Sequence, residues 1–132
     1  MCIRDRLDDG HTVSVLDQDP ESHARLEVGL EGGWEEAGGM FAVGTALEVD
    51  ALEAAGIDRA DAFVAATNGD NTNIVISQIA QRRYEIETVI ARILDPLRAE
   101  WYSTQGLRTV CPTRVAVDML ETELRQAAGG GG

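Results

Sequence analysis

Ala-Phe-Val-Ala-Ala-Thr (62–67), Asn-Gly-Asp-Asn-Thr-Asn (68–73) and Ile-Val-Ile-Ser-Gln-Ile-Ala (74–80) form the stretch that decides how the chain is read. An apolar run of strand length gives way to small polar residues, then to apolar residues at 74, 75, 76 and 79, which is helical spacing. The order is strand, polar loop, helix. In an open α/β sheet ligands sit beyond the carboxyl ends of the strands, so Thr67 to Asn73 is where hydroxyl, amide and carboxylate groups would meet a small molecule. Asp70 or Asn71 is also expected to cap the helix by accepting from its first free N–H groups.

Working toward the N-terminus, Ile57 to Asp61 leads into this strand. Met-Phe-Ala-Val (40–43) reads as a short strand, turned by Gly44-Thr45 into a helix with Leu47, Leu52 and Ala55 inward and Gly56 as its stop. The acidic, glycine-rich segment Glu31 to Gly39 is a loop on composition. Thr-Val-Ser-Val-Leu-Asp (12–17) reads as a strand ending in a carboxylate, and Asp19-Pro20 is expected to cap and begin a helix running to about Leu30. Leu-Asp-Asp-Gly (7–10) resembles a last helical turn closed by Gly10. Met-Cys-Ile-Arg-Asp-Arg (1–6) fits neither period and is expected to be a non-native leader.

Toward the C-terminus the central helix ends near Arg83 and Thr88 to Ile93 is another β-rich run. Asp95-Pro96 repeats the capping device before a helix with Leu97, Trp101 and Tyr102, closed by Gly106. Arg-Thr-Val-Cys (108–111) is the last strand. Pro112-Thr113 opens a last helix with Val117, Leu120 and Leu124 on one side, and residues 126–132 read as a flexible Gly-rich tail. Strand and helix alternate five times, which implies a parallel sheet with helices on both faces.

The 132 residues, 44% apolar and 26% charged, suffice for one core. A formal charge of −12 opposes binding to phosphate backbones, so nucleic acid is not an expected partner. No apolar run nears the roughly 20 residues of a membrane span, and a soluble, cytosolic chain is expected. Cys2 and Cys111 are too few for a disulfide framework, and with His11 and His23 they give no Cys/His cluster at ligand spacing, so no metal site is expected. Cys111 reads as a small buried hydrophobe at a strand end.

Four signatures stand in order: Gly-His-Thr-Val-Ser-Val-Leu-Asp (10–17), Leu-Glu-Ala-Ala-Gly-Ile-Asp-Arg-Ala-Asp-Ala (52–62), Thr-Asn-Gly-Asp-Asn-Thr-Asn (67–73) and Ala-Arg-Ile-Leu-Asp-Pro-Leu-Arg-Ala-Glu-Trp-Tyr (91–102). Together they resemble the nucleotide-binding N-terminal domain of TrkA-type potassium-uptake proteins, the KTN or RCK N domain, most of all its actinobacterial members. The resemblance covers about residues 7–125 and implies a Rossmann-like doubly wound parallel sheet. It also implies a cytoplasmic regulatory subunit that binds NAD(H) or ATP/ADP and gates a potassium transporter or channel subunit at the inner face of the plasma membrane. A homodimer or higher oligomer, packed partly through the last helix, is implied as well.

By the same resemblance Asp17, with Gln18 beside it, matches the acidic strand end that hydrogen-bonds the adenosine ribose. Gly44 and Thr45 follow the third family strand, where the family usually has Gly-Asp, so one ligand contact becomes neutral. Thr67, Asn68 and Asp70 match the loop after the fourth strand, near the nicotinamide or phosphate side. Arg92 matches a strand arginine able to pair with phosphate or carboxylate. The first strand and its Gly-x-Gly-x-x-Gly loop are expected to be missing, because only ten residues precede His11. That strand is central in the order 3-2-1-4-5-6. Its loss should weaken nucleotide binding, leave a marginally stable chain, and force either direct pairing across the gap or two open edges.

Local readings compete with these roles. Asp17 can be a turn former before Asp19-Pro20, Thr67 to Asn73 simple cap-and-turn chemistry, and Arg92 a strand-end arginine paired with a carboxylate. Trp101 and Tyr102 read as helix-to-sheet packing, His11 and His23 as solvated, and Glu21 to Glu36 as a wet acidic surface. An NAD(P)-dependent oxidoreductase fragment is the alternative function. No paired carboxylates or Ser/His/Asp set stands out for catalysis, so an enzyme is not expected.

Overall fold

A computed structural model describes residues 10–130 of the chain. Strands and helices alternate: β1 Val13–Asp17, α1 Ser22–Glu27, β2 Gly39–Val43, α2 Val49–Ala54, a 3-10 turn Ile57–Arg59, β3 Ala62–Ala65, α3 Asp70–Arg82, β4 Thr88–Arg92, α4 Pro96–Thr104, β5 Arg108–Val110 and α5 Pro112–Gly130. The α/β class and the parallel pairing are as expected, but the strands form two sheets, β1-β2 and β3-β4-β5. The chain likewise divides into two compact units, one reaching Ala60 and the other beginning at Asp61. Among the described strands β1 pairs only with β2, and β3 only with β4. The expected leader, and residues 7–9 of the expected helical turn, lie outside the described residues.

In the first unit β1 and β2 run in register from Val13 opposite Gly39 to Asp17 opposite Val43. Trp34 organises the unit. Its ring is fully buried against Gly39, where a Cβ would collide with the indole, and its Nε1–H donates to the Met40 carbonyl at 3.0 Å. The acidic segment 21–36 is therefore not simply a wet surface. Asp19-Pro20 opens only a tight turn, with Ser22 N–H donating to the Asp19 carbonyl, and α1 starts two residues later than Pro20. The helix stops at Glu27 and not at Leu30, because Gly29 takes φ 81° and Leu30 N–H folds back onto the Glu27 carbonyl. Leu52 points inward as expected, whereas Leu47 precedes α2 and is exposed. Gly56, at φ 97°, closes the helix by donating to the Glu53 carbonyl.

In the second unit α3 packs on β3 and β4 through Asn73, Ile74, Ile76, Ser77 and Ala80, facing Ala65, Val89 and Ala91 of the strands. Val75 points outward, since three consecutive apolar residues cannot share one helical face. Asp95 caps α4 as the sequence predicts, its carboxylate accepting from Leu97 N–H at 3.0 Å with Pro96 in the first turn. Trp101 does not pack on the sheet: it is 56% exposed and meets Tyr102 edge-on at 4.7 Å. Cys111 is only half-buried, its thiol reaching the Leu94 carbonyl at 3.6 Å. The last helix continues to Gly130, so residues 126–130 are helical rather than a loose tail. Side chains from Pro112 to Ala128 are exposed, including Val117, Leu120 and Leu124. Among the described residues no helix is long and apolar enough to cross a membrane.

Candidate functional site

The carboxyl ends of β3 and β4 are joined by a side chain that the sequence reading passed over. Asn73 on α3 is buried, and all of its amide capacity is used. Oδ1 accepts from the Thr67 N–H at 2.8 Å and from the Thr67 hydroxyl at 2.7 Å. Nδ2 donates to the Thr67 carbonyl at 3.1 Å and to the Arg92 carbonyl at 2.8 Å. The Arg92 guanidinium completes the frame, Nη2 donating to the Thr67 carbonyl at 2.9 Å. Arg92 makes no ion pair with a carboxylate among the described residues, contrary to the bland expectation, and its buried Nε–H has no partner.

Asp70 and Asn71 do not cap α3. Gly69 holds the cap position in extended backbone and no side chain accepts there. The Asp70 carboxylate turns instead to the β4–α4 connection, accepting from Leu94 N–H at 2.8 Å and Asp95 N–H at 3.0 Å, while Asn71 Oδ1 accepts from Arg98 at 2.9 Å. Both are braces between consecutive strand ends. Asn68 is exposed with no side-chain partner among the described residues, so the group at the loop tip faces solvent. A groove of about 380 Å³ lined by Asn71, Leu97, Arg98, Trp101 and Tyr102 lies on the α4 flank and includes none of the expected ligand residues.

In the first unit the Asp17 carboxylate ends β1 half-buried, with Oδ1 accepting from Asp19 N–H at 2.9 Å and Oδ2 from the Ser22 hydroxyl at 2.9 Å. It is both a turn former and an oriented carboxylate, since a carboxylate offers about four acceptor positions and two are taken. Gln18 and Thr45 are exposed beside it in sequence and at the end of β2. Gly44 N–H donates to the Asp17 carbonyl at 3.0 Å, and a Cβ on Gly44 would come within 2.8 Å of the Ala51 methyl. The glycine thus lets α2 start close to the strand end.

His23 is not simply solvated. Its Nε2 lies 2.7 Å from Glu35 and 3.8 Å from Glu27, and its ring meets Phe41 edge-on. Backbone hydrogen bonding, and then the bond to His23, hold the Glu35 carboxyl below the usual carboxylate range. The i,i+4 pairing of His23 with Glu27 was visible in the sequence; Glu35 was not, because it arrives from the following loop.

The sequence model of the TrkA-N domain matches residues 3–112. The Trk system potassium uptake protein TrkA of Streptomyces coelicolor is 40% identical over 84% of this chain and 47% of its own length. A TrkA homolog of Methanothermobacter thermautotrophicus is 32% identical over 87% of the chain and 50% of its own length, and TrkA of Mycobacterium tuberculosis is 31% identical over 74% and 40%. The chain spans about half the length of these relatives or less. On this match, and on its alternating parallel α/β architecture, the chain belongs to the TrkA-N domain family.

Proposed function

We propose that the chain is a nucleotide-sensing domain of the regulatory part of a potassium uptake system. The observation that carries this reading is the family match joined to potassium-uptake relatives over most of the chain. The geometry supports it: polar groups that could take a ligand stand at the carboxyl ends of strands, the position that open α/β sheets give to ligands. Asp17, with Gln18, takes the ribose hydroxyls of NAD(H) or an adenine nucleotide, and Gly44 and Thr45 line the same end of β2. Thr67, Asn68 and Arg92 serve the phosphate or nicotinamide side. Asp70 serves that side as a brace, since its carboxylate already holds two backbone N–H groups. Ligand binding shifts the arrangement of the domain, and an associated membrane subunit responds to the shift. The partner places the protein at the cytoplasmic face of the membrane.

The exposed stripe Val117, Leu120 and Leu124 on α5 supports a homodimer, because a lone soluble domain seldom leaves such a helix face uncovered. Calorimetric titration with NADH, NAD, ATP and ADP tests the reading, with saturable binding of at least one expected and no heat from any of them contradicting it. A hydride-transfer assay with NADH and simple carbonyl substrates separates a sensor from an oxidoreductase fragment. The sensor gives no turnover.

A further inference from the structure

A second cluster stands apart from the strand-end groups, wholly within the first unit. His23 and Glu27 share one face of α1 at i,i+4 spacing, and Glu35 reaches them from the loop that precedes β2. One donor atom from each lies within 4.8 Å of the others. We propose that these three side chains bind a single divalent transition-metal ion of the zinc type.

Three arguments carry the assignment. The first is spacing. Donors around a tetrahedral zinc ion stand about 3.4 Å apart, given bonds near 2.1 Å, and the observed separations of 2.7 and 3.8 Å from His23 Nε2 bracket that value. The second is support. Glu27 Oε1 accepts from Trp34 N–H at 3.1 Å, Trp34 is fully buried, and the His23 ring is set by its edge-on contact with Phe41 at 5.3 Å. Outer contacts of this kind fix the direction of metal ligands. The third is charge. One imidazole faces two carboxylates, so even a protonated ring leaves one negative charge unmatched, and the chain as a whole carries −12.

The donor set selects the ion. Calcium and magnesium take oxygen ligands, whereas a mixed imidazole and carboxylate set suits zinc and its first-row neighbours, with water filling the open positions. The ion ties the acidic loop to α1. His23 adjoins Ser22, whose hydroxyl holds Asp17, so occupancy stiffens the segment that orients the β1 carboxylate without touching it. The site does not depend on the nucleotide reading, and either can fail alone.

The test is calorimetric titration of the chelator-stripped chain with zinc chloride in excess magnesium chloride, repeated on H23Q, E27Q and E35Q. One zinc event is expected, weakened at least about tenfold in each variant, as loss of a ligand or its support commonly does. E35Q is the deciding variant, because Glu35 is 58% exposed and its loop is anchored by Trp34. An unshifted Trp34 indole N–H resonance in E35Q shows that the fold persists while zinc is lost. Zinc affinity unchanged in E35Q and H23Q, as binding through cysteine would give, or equal competition by magnesium, as a diffuse acidic surface would give, overturns the assignment.

Discussion

At the end of β3 the side chain of Asn73 uses both lone pairs and both N–H bonds on its neighbours, and Arg92 adds a further bond to the same Thr67 carbonyl. At the end of β1 the Asp17 carboxylate holds one N–H and one hydroxyl, with room left on both oxygens. The packing differs in the same sense. Among the described residues, ten apolar side chains are buried in the second unit, against Trp34, Leu52 and Ile57 in the first. At about 25 cal/mol per Å² of apolar surface, that inequality makes the three-stranded unit the stable frame and the two-stranded unit the adjustable one. The contrast locates rigidity at the Thr67 loop and leaves adaptability at the Asp17 carboxylate.

The comparison is most easily broken at Trp34. W34A should cost about 3–5 kcal/mol, the usual price of truncating a buried tryptophan. Hydrogen exchange should then show lost protection in β1 and β2 with β3, β4 and β5 retained; a uniform loss in both sheets would mean that the units are not energetically distinct. N73A comes next, at about 2–3 kcal/mol, because it takes a partner from the part-buried Thr67 N–H and Arg92 carbonyl. Its loss should concentrate in the second unit, and denaturant unfolding followed at the Thr67 and Asn68 amides measures it. D95A removes a cap and should cost about 1 kcal/mol, read at the Leu97 amide and the stability of α4. L124E should change stability of the isolated chain by less than about 0.5 kcal/mol, since that side chain is 70% exposed. If α5 is the dimer contact, sedimentation should nonetheless show a shift from dimer to monomer.

What the sequence disclosed follows the range of the interactions involved. Asp95-Pro96 was legible because the cap and its partner Leu97 are two residues apart, and the parallel pairing of the strands followed from the alternation of strand and helix. The same Asp-Pro device at Asp19-Pro20 produced a turn before a short helix, because Gly29 and the Trp34-anchored loop take the chain elsewhere. Asn73 was counted as one polar residue among six; its partners include a strand end 19 residues away. Asp70 was misread as a cap for a related reason, since the N–H groups it accepts from lie 24 and 25 residues downstream. Trp34 was hidden by its neighbours, because acidic and glycine-rich composition says nothing about one buried ring. Among the expected site residues, Asp17, Thr67 and Arg92 do stand at strand ends with oriented polar groups, while Gln18, Thr45 and Asn68 remain exposed positions whose use depends on a ligand.

The central proposal is that the chain binds a nucleotide through strand-end groups. Its most direct test is the amide NMR spectrum of the chain titrated with NADH and, separately, ADP, which reports even weak binding residue by residue. The account predicts saturable shifts at Asp17, Gln18, Gly44 and Thr45 and at Thr67, Asn68 and Arg92, larger in the first group because the Asp17 carboxylate keeps acceptor positions free. Shifts confined to α4 and its groove, or a spectrum unchanged by either nucleotide, would contradict it.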